Sequence, residues 1–495
     1  MTATPTDGAS PSPLDTTEHS AGDGTSRRST ARWIGILVIL VLLSEEVAYA
    51  FNLVTPAMPS MAAEFGTPHI AWVSTLFMLT GAISAPLVGK LADREGKKKW
   101  LLITAACMAG GSLIVALAPS FPMVLLGRAV EGLGLAIVPI VYSLMRDIFP
   151  RKMLAVAVSL ATAGVGVTTI TGPIFAGLLI DHFGYRGVFF ALAIFPLVVG
   201  ALVLVAVPES PVRVHTPIDW AGGLLLGLTI AVLLFAIGEA GAWGWTSAKT
   251  FGCAALTVVL FLVWARHAGR TEHPLIAPAV LRGRAVLTTM AAQFTAQAVI
   301  ALQFVLLSFV VQTPKALGLT YGLGETAGFM ARITTPAGIA SVLMGLLVGY
   351  VAERRGARLP NCLGFALAAT GSVVLAFAHD TFGPIFLGYL VYAFGGGLVS
   401  AAIPNLVIAA TPVKLQAVTA STVNVVGSIG SAIAVQAGFA ILALQVVTVA
   451  DGSPIYGDAG FTAVYLLTAA LAAVGLVASL LMRHGRRPQS VEALI

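Results

Sequence analysis

Residues 89–99 read Gly89-Lys-Leu-Ala-Asp93-Arg94-Glu-Gly96-Lys97-Lys98-Lys99, a charged loop between two long apolar runs. A close echo, Gly349-Tyr-Val-Ala-Glu353-Arg354-Arg-Gly356, follows 260 residues later. The repeat extends beyond the loop. Leu126-Gly127 recurs as Leu387-Gly388 and Gly134 as Gly395, at a spacing of 261. The chain therefore holds two homologous halves.

The runs around these loops decide the class. Of 495 residues, 57% are hydrophobic and 10% charged, and the mean hydropathy is +0.92. Soluble domains carry about 25% charged residues. A membrane-crossing helix needs about 20 apolar residues. Runs of that length predict helices at 33–56, 70–90, 100–118, 122–145, 154–180, 188–207, 219–239, 250–265, 286–312, 326–350, 360–378, 383–409, 416–445 and 460–482. The expected fold is an all-α integral membrane protein of about fourteen spans. Two six-helix halves, 33–208 and 286–482, flank an inserted helix pair at 209–285. Residues 1–32 and 483–495 are the expected tails. The first is rich in Ser, Thr, Pro and Gly, which predicts disorder, and it lacks the pattern of a signal peptide.

Lys and Arg fall on alternate loops. One side collects Lys90, Arg94, Lys97, Lys98, Lys99, Arg146, Arg151, Arg354, Arg355 and Arg358, with Arg27, Arg28 and Arg483 beside the ends. The other side holds only Arg186, Lys249 and Lys315. The positive side is cytoplasmic, so both termini are expected there. The net charge of +6 is scattered over these loops and forms no basic face, which excludes a nucleic-acid partner. Cys107, Cys253 and Cys362 lie in apolar segments without metal-ligand spacing, so no metal is expected.

These residues resemble the major facilitator superfamily over nearly the whole chain after residue 32. The 89–99 loop is similar to the superfamily's loop after its second helix. The resemblance gives Gly89, Asp93, Arg94 and Gly96, with Glu353 and Arg354 in the echo, the role of latching the two halves. Gly89 is expected to allow close helix packing. Arg128-Ala-Val-Glu131-Gly132 in the fourth helix resembles a second family motif, with Glu131 where the family has glutamine. A charge inside a membrane costs at least about 2.5 kcal/mol, so Arg128 is expected to be paired and to face a cavity, with Glu131 three residues on along the same helical face. That pair serves either transport or helix–helix attachment. Gly164, Gly172, Pro173 and Gly177 in the fifth helix resemble the antiporter motif of the family's exporters. Thr168 and Ala176 replace glycines expected there.

The extra helix pair resembles the fourteen-helix drug:proton antiporter branch. Asp219-Trp220-Ala-Gly222, Trp243-Gly-Trp245 and Pro274-Leu275-Ile276 resemble it as well. The branch's aspartate in helix 1 falls on Ala50 and is missing. Glu45 and Glu46 stand earlier in the helix instead. Either can face the cavity, or both can sit hydrated near the inner mouth.

A carboxyl in a low-dielectric cavity can trade a proton near neutral pH. Glu45, Glu46 and Glu131 are the proton-coupling candidates, with Arg128 modulating. The resemblance implies a cavity lined by helices 1, 4, 5, 9 and 12. Its candidate substrate contacts are Tyr49, Asn52, Tyr142, Gln293, Gln297, Gln303, Arg332, Tyr389, Tyr392 and Asn405. The cavity acids favour a cationic substrate, while Arg128 and Arg332 weaken that inference. The partners implied are a small organic molecule, protons and membrane lipids, without a cofactor. The function implied is proton-driven export across the cell membrane. Uptake on the same fold, or a receptor that transports nothing, are the alternatives. No phosphate loop or nucleophile elbow indicates an enzyme.

Overall fold

A computed structural model of the chain describes residues 22–215, 217–272, 274–276, 283–315, 319, 321–411, 416–450 and 453–486. Thirteen of its helices are long and apolar enough to cross a membrane. One of them, Gly166–Ala206, has 41 residues. At 1.5 Å per residue it would be about 60 Å long, about twice the thickness of a bilayer core. Gly184 breaks it with φ 67°, ψ −176°, a conformation that only glycine adopts without strain. It is two crossings, which brings the described residues to the fourteen that the apolar runs predict.

In chain order the crossings are α1 (Gly22–Phe65), α2 (Ala71–Glu95), α3 (Lys97–Ala116) and α4 (Phe121–Ile148), the last tightened by a 3-10 turn at Leu133–Ala136. The limbs on either side of Gly184 are α5 (151–183) and α6 (185–206). Then come α7 (Trp220–Trp243), α8 (Ala248–Ala268), α9 (Arg284–Gln312), α10 (Ala331–Arg355), α11 (Arg358–Phe377), α12 (Phe382–Ala410), α13 (Gln416–Leu442) and α14 (Asp458–Leu481). An antiparallel hairpin, β1 (Val446–Ala450) and β2 (Ser453–Tyr456), joins the last two. An even number of crossings returns the chain to its starting side, called the terminal face below; the opposite side is the far face. Helix already begins at Gly22, so residues 22–32, expected as tail, extend α1.

The internal repeat is visible in packing. A methyl group on Gly111 would meet Glu131 N at 2.5 Å and Gly127 O at 2.6 Å. On Gly371 it would meet Tyr392 N at 2.5 Å and Gly388 O at 2.6 Å. The α3–α4 and α11–α12 pairs thus touch backbone to backbone at equivalent points, the close approach that small residues permit in lipid.

Helix α7 straddles the two halves. Near the terminal face Gly223 and Gly227 pack on Leu87 and Ile83 of α2. Near the far face Gly238 and Gly241 pack on Gln436 and Ala440 of α13. Asp219 caps α7 by accepting from Gly222 N at 2.8 Å, and it also binds His267 Nε2 at 2.8 Å and Leu275 N at 3.2 Å. Two short sequence signals, around Asp219 and around Leu275, therefore meet at one junction. Burial pushes the Asp219 carboxyl up, but the His267 ring and the two backbone donors outweigh it and hold the group below the ordinary aspartate value.

Candidate functional site

The acids of α1 diverge although they are neighbours in sequence. Successive side chains on a helix point about 100° apart. Glu45 faces α5, where its Oε2 accepts from Thr168 Oγ1 at 2.6 Å and its Oε1 lies against Gly164. Thr168, a departure from the family's glycine, is thus the donor for this carboxylate. Glu46 is fully buried, and neither of its oxygens has a hydrogen-bond partner among the described residues. Glu131 of α4 is near enough to act on it electrostatically.

Arg128 and Glu131 form a fully buried ion pair, Nη1 to Oε2 at 2.7 Å. Arg128 Nε also donates to Val73 O at 2.8 Å, and the guanidinium lies 4.4 Å from the Phe77 ring centroid. The pair is thereby enclosed by α2 and α4, with Phe189 of α6 beyond it. Removing one partner of such a pair strands the other in a low-dielectric interior, which costs about 3–5 kcal/mol.

A cavity has two adjoining lobes, a deeper one between the halves and a larger one walled by α9, α12 and α13 of the second half. The deeper lobe, about 280 Å³, is walled by Phe51 and Asn52 of α1, Pro173 of α5, Gln297 and Phe304 of α9, and Tyr389 and Tyr392 of α12, among others. The larger lobe, about 470 Å³, lies nearer the terminal face against Gln293, Pro404, Gln416 and Asn424. Gln297 and Ser400 border both lobes. No charged residue lines either lobe among the described residues.

The far face is closed. Ser308 Oγ donates to Thr55 O at 3.1 Å, and Gln312 Nε2 to Pro56 O at 2.9 Å. Asp181 accepts from Thr326 Oγ1 at 2.9 Å and from Gly328 N at 3.2 Å. Gly177 packs directly on Gly328. The three motif glycines of α5 therefore have separate jobs. Gly164 receives Glu45, Gly172 receives Asn52, whose Cβ a methyl group there would meet at 2.8 Å, and Gly177 seals the seam to the other half. Asp181 is part of that seal.

On the terminal face the 89–99 loop holds its own half. Gly96, at φ 133°, turns α2 into α3. Lys97 is buried between Asp93, at 3.2 Å, and Asp147, and Glu209 accepts from Lys98 N at 3.0 Å. Arg94 is exposed. The close packing expected at Gly89 is not present: a side chain there would meet nothing within 4 Å. In the echo, Arg354 covers the Tyr350 ring at 4.2 Å, and the side chain of Glu353 lies outside the described residues.

Five of the ten expected cavity residues line it: Asn52, Gln293, Gln297, Tyr389 and Tyr392. The other five are elsewhere. Tyr49 bonds Thr171 Oγ1 at 2.9 Å and packs on Phe175 and Phe195. Gln303 is buried against α11, donating to Ser372 Oγ at 2.7 Å. Arg332 is exposed in the first turn of α10, 4.8 Å from the Phe329 ring, not deep in a span. Tyr142 packs on the core outside both lobes, and Asn405 donates back to Ala401 O at 3.0 Å. Thr168 and Asp181 were missed as site residues. Neither carries a sequence signal beyond Thr168's substitution for an expected glycine.

The comparisons with known proteins agree with this architecture. The chain is 27% identical over 398 residues to the multidrug resistance protein Stp of Mycobacterium tuberculosis, covering 79% of this chain and 71% of that one. It is 27% identical over 410 residues to a uridine/deoxyuridine transporter of Lactococcus lactis, covering 78% and 82%. A crystal structure of a bacterial homolog of the human lysosomal transporter Spinster superposes with a TM-score of 0.62 at 14% identity, over 90% of this chain and 96% of that one, which speaks to the fold alone. The Major Facilitator Superfamily model matches residues 47–435, most of the chain and both halves of the repeat, and the chain belongs to that superfamily of transporters.

Proposed function

We propose that the protein exports small amphipathic organic compounds, drugs or antibiotics among them, across the cell membrane in exchange for protons. One observation carries this reading: a cavity that widens toward the terminal face and is sealed at the far face, and whose deep lobe is walled in part by α1, the helix that also carries a buried acid with no donor of its own among the described residues. The positive loops make the terminal face cytoplasmic, with both termini inside, so substrate enters from the cell interior. Resemblance to a multidrug resistance protein supports export.

Glu46 is the proton carrier in this scheme. An unpaired charge at its position is expensive, so substrate and proton occupancy oppose each other through α1. Glu45 shares α1 and reports to α5 through Thr168, and Arg128 fixes Glu131 beside Glu46. Protonation from outside then favours return to the inward state, each half moving as a near-rigid body.

Resemblance to the uridine/deoxyuridine transporter favours uptake as the second reading. The test is proton movement on ligand binding, followed as pH in weak buffer with purified protein and a panel of antibiotics and dyes. Release that disappears in Glu46→Gln supports exchange. Uptake of protons, or binding with no proton movement, sinks it.

A further inference from the structure

Resting on that transport reading, we infer that the cavity selects flat, uncharged, hydrogen-bonding ring systems, such as tricyclic or tetracyclic aromatics with carbonyl or hydroxyl edges, over lipophilic cations. The walls of the deep lobe are aromatic on two sides. Phe51 of α1 and Phe304 of α9 lie 5.9 Å apart with ring planes tilted by 31°. Tyr389 and Tyr392 of α12, ring centroids 5.2 Å apart, form the other wall. All four rings line the same lobe. The polar side chains of the lobe are the amides of Asn52 and Gln297 and the hydroxyls of Thr169, Thr334, Ser341 and Ser400, beside the tyrosine hydroxyls; all are neutral and both accept and donate. Such a set matches the edge of a quinone, an acridone or a phenol.

The acids that would neutralise a cation are turned elsewhere. The Glu45 carboxylate accepts from Thr168, Glu46 is fully buried, and neither lines the lobe. Glu131 is committed to Arg128. The internal repeat sharpens the point. The spacing that aligns Leu126-Gly127 with Leu387-Gly388 puts Arg128 opposite Tyr389 and Glu131 opposite Tyr392. The half that forms the ring-binding wall has tyrosines where the other half has its charges. A cation entering this lobe gives up hydration, and aromatic faces return only part of it. A neutral ring gains from the same burial.

The test uses two probes on one three-ring frame. Acridone is neutral with a carbonyl and an N–H; 10-methylacridinium carries a fixed positive charge. Binding to the purified full-length protein is measured by equilibrium dialysis. Acridone is expected to bind at least tenfold more tightly, with Tyr389→Leu weakening it tenfold or more and Tyr389→Phe less than threefold. Tighter or equal binding of 10-methylacridinium overturns the inference, as does binding of neither probe. The wild-type comparison needs no variant to fold. Vesicles with an imposed pH gradient separate the two readings. Acridone bound but not moved leaves the selectivity standing and sinks export. Movement of 10-methylacridinium without acridone binding sinks the selectivity and leaves export.

Discussion

The α4 and α12 helices occupy equivalent places in the two halves and are packed by equivalent glycines, Gly111 and Gly371. Their functional positions differ completely. In α4 they hold the Arg128–Glu131 ion pair, sealed by Phe77 and the Val73 carbonyl. In α12 they hold Tyr389 and Tyr392 on the cavity wall. One repeated scaffold thus separates charge from substrate surface. The loops differ in their partners as well. Lys97 knits its half together through Asp93 and Asp147, whereas Arg358 at the echo donates to the backbone carbonyls of Ser479 and Leu480 at the end of α14.

Breaking the ion pair is expected to have the largest effect. Arg128→Met strands Glu131 and should cost about 3–5 kcal/mol of stability, read as a fall in the melting temperature of the detergent-solubilised protein. Tyr389→Phe should leave that temperature within a degree or two. Equal losses from both would mean that the two helices do the same work.

Next come the matched glycines. Gly111→Ala and Gly371→Ala each force a methyl group into a neighbouring backbone and should each cost about 1–3 kcal/mol by overpacking. Unequal losses, by the same melting assay, would show that the halves are less symmetric than their contacts.

The smallest effect concerns the insert that joins them. Asp219→Asn keeps an N-cap oxygen but loses the charge that His267 and two backbone donors favour. The folded-state value of Asp219 lies below its unfolded one. Its contribution is therefore fully present above about pH 4 and fades as pH falls through the lower folded value. Wild type should exceed the variant by about 1 kcal/mol at pH 7, and the gap should close on acidification. A gap that grows in acid would refute the assignment.

The fold was legible because hydropathy and positive-loop alternation are properties of whole segments. The break between α5 and α6 at Gly184 fell inside the interval left between two apolar runs. The site was half legible, and helical phase explains which half. Gln293 and Gln297 are four residues apart and share a face, both lining the cavity. Gln303 is six residues further on, about 120° away at 100° per residue, and points into α11 instead. Periodicity gives angles between side chains but not which angle meets the neighbouring half. That is also why the sequence leaves Glu45 and Glu46 equivalent, and why the role of Thr168 as donor to Glu45 is visible only with α1 beside it.

Helix α7 packs on α2 at one end and on α13 at the other, through glycines. When the halves rock, those contacts move apart and the helix changes its tilt. Tilt sets how much hydrocarbon thickness a helix of fixed length matches. Through such a helix, bilayer thickness would bear on any rocking of one half against the other.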